Sequence, residues 1–265
     1  MKRSHYVGAA AFVLSGLVAP TASADTCQYI ATTTHAQVHR RHCANPVLSQ
    51  FLFSFTNGDH KIRDIRATRD AGNLTSWFAD KSPKDPFRAE VYYDSPPRYV
   101  ARSASARCKG SCSILTTGRP SGRGWELAIV GFSVHRTDGN DNNVKKLSIV
   151  PGVDDSRYHV EYRDNGSFTY DVRLQYAWVK GAHATGNRRL RGSRRANSGT
   201  SAIPLGSLHQ RYTGIRGFSV EFGNGDHHLK EIGFIGSYRS GYRALLQDND
   251  SDDPASAMLD LVWWN

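Results

Sequence analysis

The chain has 265 residues, 39% of them hydrophobic, and a formal net charge of +10 from 34 Lys and Arg against 24 Asp and Glu. After the N-terminal leader no apolar run is long enough to cross a bilayer as a helix, which excludes a helical membrane protein. The cationic excess favours anionic partners, and the length suffices for one substantial β domain or two small ones.

Residues 1–24 read as a secretory signal. Lys2 and Arg3 supply a positive start, AAAFVLSGLVA is an apolar core too short for a span, and Ala22-Ser23-Ala24 is a small-residue cleavage pattern. The mature chain is expected to begin at Asp25, in a secreted or periplasmic setting, with one domain over 25–265. Export permits disulfides, and Cys27, Cys43, Cys108 and Cys112 all lie in the mature part. Local pairing is expected, Cys27 with Cys43 and Cys108 with Cys112, because each pair sits within one segment. Cys27, His35, His39, His42 and Cys43 also form a Cys/His-rich stretch. An oxidising compartment and the lack of a second ligand pair at zinc-finger spacing argue against metal there.

From residue 51 the chain writes one pattern roughly three times. The first unit, 51–94, opens FLFSFTNGDH, and the third, 215–265, contains GFSVEFGNGDHH. Sliding one over the other puts Phe51, Phe53 and Phe55 on Phe218, Val220 and Phe222. The same shift puts Asn57-Gly58-Asp59-His60 on Asn224-Gly225-Asp226-His227 and Asp85-Pro86 on Asp253-Pro254. A looser middle unit, 125–179, keeps the aromatic-led strand with Val144 and Leu147 but has lost the histidine and the Asp-Pro. Apolar residues alternate with period two, Asn-Gly favours tight turns, and proline cannot donate to a ladder. Each unit reads as about four short strands, and no segment carries a helical stripe. The expected fold is all-β, an internal threefold repeat in β-prism, trefoil-like or sandwich packing.

Two insertions interrupt the units. The first, 96–124, carries Cys108 and Cys112, with Tyr99-Val100-Ala101 and Cys112-Ser113-Ile114-Leu115 expected to be extended and a polar loop over 118–124. The second, 180–214, crowds Arg188, Arg189, Arg191, Arg194 and Arg195 among glycines and serines. Five like charges so close predict an exposed, mobile loop. It is either a solvated connector or a contact for an anionic polymer or surface, nucleic acid included. Trp263-Trp264 near the C-terminus should face opposite ways on a strand, one toward the core.

Chemistry has few candidates. Asp226-His227-His228, echoed by Asp59-His60, pairs a titratable ring with a carboxylate, but the motif sits at an Asn-Gly turn where aspartate commonly bonds the backbone. Contact with a ligand and a structural turn are the readings it supports best. Asp248, Asp250 and Asp252 alternate like the start of an oxygen-rich calcium loop. Neither the sixth nor the twelfth position fits, so at most a single weak calcium site is expected, and no other cofactor. Gly-x-Ser-x-Gly, HExxH, Walker and Rossmann patterns are absent. The leading expectation is a secreted, non-catalytic protein that binds carbohydrate or a polyanionic surface, with Tyr and Trp as stacking platforms. A secreted hydrolase using the Asp/His turn is the runner-up, and a structural or envelope-interaction protein is the third reading.

Overall fold

The alternation read from the sequence is carried through most of the chain as extended backbone, because each strand finds a hydrogen-bonded neighbour and a buried face. In a computed structural model the protein is all-β, with no helix among the described residues. These are 27–33, 37–39, 46–55, 62–70, 73–80, 85–137, 144–163, 168–184, 189–195, 202–208, 212–223, 228–237, 239–247 and 253–264. The first 24 residues, read above as a signal, lie outside them.

Strands β1 (Cys27–Thr33) and β2 (Gln37–His39) precede a first block, β3 (Val47–Phe55), β4 (Ile62–Asp70), β5 (Asn73–Asp80) and β6 (Phe87–Asp94). Strands β7 (Arg98–Lys109) and β8 (Ser111–Leu115) occupy the first insertion, where extended segments were expected. The second block is β9 (Trp125–Arg136), β10 (Lys146–Pro151), β11 (Arg157–Arg163) and β12 (Thr169–Lys180). Strands β13 (His183–Ala184), β14 (Leu190–Arg194) and β15 (Ala202–Gly206) lead to the third block. That block is β16 (Tyr212–Phe222), β17 (Glu231–Ser237), β18 (Gly241–Gln247) and β19 (Ala255–Trp264).

In every block the first strand pairs with the fourth and the second with the third. The middle hairpin of each block then reaches the first strand of another: β4 lies on β9, β10 on β16, and β17 on β3. Three leaves result, β6-β3-β17-β18, β12-β9-β4-β5 and β19-β16-β10-β11, each widened by edge strands. The first gains β1 and β15, the second β2 and β7, the third β8, β13 and β14. The second and third leaves join into one sheet through the register pair Lys109 and Ser111, at the turn from β7 to β8. A Cys108–Cys112 disulfide spans that corner, its Cα atoms 5.5 Å apart, as local pairing predicts. The Cys27 side chain and Cys43 lie outside the described residues.

The leaves share a core whose centre is made by the three first strands. Phe51, Phe132 and Phe218 are fully buried and form a ring of edge-to-face and tilted contacts. Their centroids are 5.2 Å apart for Phe51–Phe132, 5.1 Å for Phe51–Phe218 and 5.2 Å for Phe132–Phe218. Two residues before each phenylalanine the pairing with the fourth strand skips one residue, a β-bulge at Ser49, Val130 and Arg216. Gly131 and Gly217 stand directly before two of the phenylalanines. A Cβ on Gly131 would meet Gln175 Oε1 at 2.6 Å, and one on Gly217 would meet the Ile149 carbonyl at 2.9 Å, so the close strand approach requires glycine there. A smaller cluster of Val47, Ala128, Val130, Val179, Val262 and Trp264 closes one end, called here the upper end. The first strands begin at this end, and the register of each middle hairpin points its turn toward it. Trp264 belongs to this core while Trp263 is half-buried, 6.1 Å from the His183 ring.

The second insertion departs from expectation. Residues 190–194 are not a loose loop but strand β14, paired with β19 from Leu190↔Leu259 to Arg194↔Ala255. Charge density along the sequence ignored the alternation of faces. Arg191 and Arg195 point outward, whereas Arg194 is turned inward and is only 5% exposed. Its guanidinium donates from Nε to the Asp253 carbonyl at 3.2 Å and from Nη1 to the Leu246 carbonyl at 3.1 Å, which makes its burial tolerable.

The central triad sets a measurable scale. Phe218→Ala should lower stability by about 3–5 kcal/mol, the cost of a large core truncation. Combined with Phe51→Ala it should depart from additivity, because the two rings touch. Urea unfolding of the single and double variants checks both statements.

Candidate functional site

On the third leaf the apolar members of each strand turn inward and the polar members turn outward. Leu147, Ile149, Val160, Phe218, Val220 and Leu259 are buried, and the residues between them form the outer face. Across that face, register partners line up as Ser111, Glu161, Ser148, Ser219, Met258 and Arg191, one each from β8, β11, β10, β16, β19 and β14. A parallel row runs Arg163, Lys146, Glu221, Ser256 and Ser193. Serines leave the floor low, and the edge strands β8 and β14 bound it on either side. The result is an open groove of about 790 Å³ whose lining includes Ser113, Ser148, His159, Arg189, Arg191 and Ser219.

Charge in the groove is unevenly committed. Lys146 Nζ lies 2.9 Å from Glu161 and 3.4 Å from Glu221, and Arg163 bridges the same two carboxylates at 2.9 and 3.0 Å. Ser113 Oγ and His159 Nδ1 share a hydrogen bond of 3.1 Å. Arg191 is exposed and has no ion pair among the described residues. Glu161 is the acid in the groove lining, against Lys146, Arg189 and Arg191.

At the upper edge of the same leaf lies a buried ionic cluster. Asp260 is fully buried, 2.9 Å from Arg216 Nη1 and 3.4 Å from Arg189 Nε. Arg216, the bulge residue of the third block and 11% exposed, also pairs through Nη2 with Asp155. Asp155 holds a left-handed φ of 58°, unusual for a residue other than glycine. Burial pushes the Asp155 carboxyl above its ordinary range, a larger effect than the opposing pull of Arg216. Glu126 is raised as well, first by burial and then by the charge of Asp155.

The second leaf has a counterpart groove of about 630 Å³, lined by residues such as Arg66, Arg107, Ser133 and Arg173. Two of its arginines are ion-paired, Arg107 with Asp171 at 2.8 Å and Arg173 with Asp70 at 2.7 Å, and His135 Nδ1 lies 2.8 Å from Asp64 Oδ1. Arg66 Nε donates to Ser133 Oγ at 3.3 Å.

Of the ligand candidates read from the sequence, Arg189 and Arg191 line the third-leaf groove, Arg195 is exposed near it, and Arg194 is a buried structural group. Arg188, Asp59, His60, Asp226 and His227 lie outside the described residues, as do Asp248, Asp250 and Asp252. His228 is half-buried and is not part of the groove lining. Among the described residues no group of three or more His, Cys, Asp or Glu is placed to hold a metal ion. Of the aromatic residues read as stacking platforms, Tyr93, Tyr158, Tyr162, Tyr170, Tyr176 and Trp178 are core, Tyr99 is exposed, and among the described residues no Tyr or Trp lines the groove. The serine rows and the Arg216 cluster were missed. The first depends on the register of six strands, which no local motif reports, whereas the residue two before each aligned phenylalanine would have pointed to the second. No protein-family model and no curated protein matches the chain.

Two outcomes follow from these placements. Arg194→Ala should cost about 1–3 kcal/mol, because two buried carbonyls lose their donor, while Arg191→Ala should stay within about 0.5 kcal/mol of the native protein in urea unfolding. Glu126 is protonated more readily in the folded state than in the unfolded one. Its unfavourable contribution is absent below the unfolded pKa and grows as pH rises through the folded value. Glu126→Gln should therefore raise the melting temperature at neutral pH and leave it nearly unchanged in strong acid, as read by thermal melts across pH.

Proposed function

We propose that this is a secreted, non-catalytic protein that binds a carbohydrate or other polymer bearing anionic groups in the third-leaf groove. The observation that carries the reading is the row from Ser111 to Arg191, with an uncommitted arginine at one end of a hydroxyl-lined floor. Serine hydroxyls donate to or accept from sugar hydroxyls, carboxylates accept from them, and arginine forks match sulfate and carboxylate oxygens. An aromatic-free groove favours this polar, charged mode over neutral sugar stacking. The signal-like leader and the cysteine content support an exported setting.

The three blocks are in this reading copies of one unit packed as a β-prism. Support comes from the shared pairing pattern, the bulge at Ser49, Val130 and Arg216, and the meeting of Phe51, Phe132 and Phe218. The outer faces have then diverged, the second with two of its arginines ion-paired and the third with a groove open to a ligand.

The test is a binding screen of the mature chain on sulfated, carboxylated and neutral glycans and on nucleic acid, over a salt series and with or without calcium. Binding to a sulfated or carboxylated glycan should weaken steeply with salt, since added ions screen contacts beyond roughly 10 Å at 0.1 M. Arg191→Gln should weaken it further and flatten the salt dependence, and Ser219→Val should reduce it without altering that slope. If both variants bind every ligand as the native protein does, the groove is not the site.

A further inference from the structure

The upper end of the molecule carries a feature that the groove does not use. Three large hydrophobic residues are left exposed among the described residues: Val153, fully exposed, Leu115 at 62% and Tyr99 at 41%. All three lie at the upper end. Leu115 ends β8 as the register partner of Arg157, and the Gly152 N–H donates to the Arg157 carbonyl at 2.8 Å to close the turn bearing Val153. Tyr99 lies near the start of β7, opposite Val179 at the end of β12.

These side chains stand on firm supports. Thr116 N donates to the Ser156 carbonyl at 2.9 Å, tying the Leu115 segment to the Val153 turn. Thr117 N donates to the Tyr176 hydroxyl at 2.8 Å, and Trp178 Nε1 donates to the Thr117 carbonyl at 3.1 Å, fixing the following loop to β12. Among the described residues Val153 is fully exposed on this braced turn.

Cations surround the tips. Arg98, Arg102, Arg119, Arg123 and Arg157 are exposed on the same segments, and Lys180 lies with its Nζ 5.7 Å from the Trp125 ring. Two of the acids beside them are withdrawn from the surface, and one, Asp154, remains exposed. Asp155 is buried on Arg216, Glu126 is half-buried, and Asp154 accepts from Ser156 N at 3.1 Å and Ser156 Oγ at 2.7 Å. Apolar tips within a cationic rim match an interface with anionic headgroups outside and acyl chains beneath. An anionic polysaccharide would satisfy the cations but would leave Val153 and Leu115 in water.

We infer that the upper end docks on the surface of an anionic lipid bilayer, with Val153 and Leu115 entering the headgroup region and the surrounding arginines holding the phosphates. The docking is peripheral and reversible, since a few side chains bury too little apolar surface for lasting insertion.

Co-sedimentation of the mature protein with vesicles tests this. The vesicles are phosphatidylcholine alone, or phosphatidylcholine with phosphatidylglycerol or with phosphatidylserine. The protein should sediment with both anionic mixtures, scarcely with the neutral one, and less as salt rises. Val153→Asp should weaken the anionic binding tenfold or more, and Leu115→Asp should act similarly. Val153 is fully exposed among the described residues, so its variant should keep the native melting temperature. Arg123→Gln should weaken binding a few-fold and flatten the salt dependence, and Asp154→Asn should strengthen it. Arg191→Gln should leave vesicle binding unchanged, which separates this surface from the groove. The inference is overturned if no anionic vesicle binds, if Val153→Asp binds as the native protein does, or if Arg191→Gln abolishes sedimentation.

Discussion

Three phenylalanine rings within 5.2 Å of one another hold three sheets to one axis, and most of the remaining structure follows from keeping them there. Edge-to-face contacts favour a defined separation and tilt, each worth about 0.5–1.5 kcal/mol beyond simple burial. The residue before two of the rings is glycine, since a Cβ on Gly131 would collide with β4 and β12 and one on Gly217 with β10, the partners of the first strands within their own leaves. The bulge two residues upstream adds local twist, which lets each first strand leave the axis and enter its own leaf. A flat sheet could not do both. The hairpin exchange between blocks then locks the arrangement, because no block completes a four-stranded leaf without a neighbour's hairpin.

The same bulge position explains where the third block differs chemically. Ser49 and Val130 fill it with small groups, whereas Arg216 brings a charge into a site that is nearly closed. A buried guanidinium is tolerated only with partners, and Asp155 and Asp260 supply them from two other elements. Arg189 adds a second cation to Asp260, so β14 is anchored to the leaf by charge as well as by its ladder. One wall of the groove therefore stands on the buried ionic cluster, and the geometry presenting Arg191 depends on the fully buried Asp260 and the mostly buried Arg216.

The strands were legible in the sequence because their signal is local. Period-two alternation, Asn-Gly and Asp-Pro are read within ten residues, and the alignment sets Phe51 on Phe218, two rings that meet in the triad. Residues that act through long-range pairing were not legible. Arg194 looked like one charge in a crowd of five, yet its direction is set by β19, more than fifty residues away in sequence. The tyrosines looked like a surface resource, but strand parity sends Tyr158, Tyr162, Tyr170 and Tyr176 inward, three of them bonding main-chain carbonyls through their hydroxyls. The serine rows left no motif, because their members come from β8, β11, β10, β16, β19 and β14 and become neighbours only through register.

Chemistry and stability are partitioned by this architecture in a way that bears on how the surface can change. The core blocks hold the inward residues, while β7, β8 and β14 come from segments outside the blocks and add edges without disturbing the centre. Edge strands normally expose unpaired backbone to other chains. Here the edges of the second and third leaves are joined at the Cys108–Cys112 corner, so the exposed edge becomes a covalently braced ridge. From that ridge β8 runs along the groove at its Ser111 end and finishes at Leu115 on the upper end. A single five-residue strand thus borders both proposed contact surfaces. Its outward residues can vary independently of the buried Ile114, which keeps the strand seated on the core.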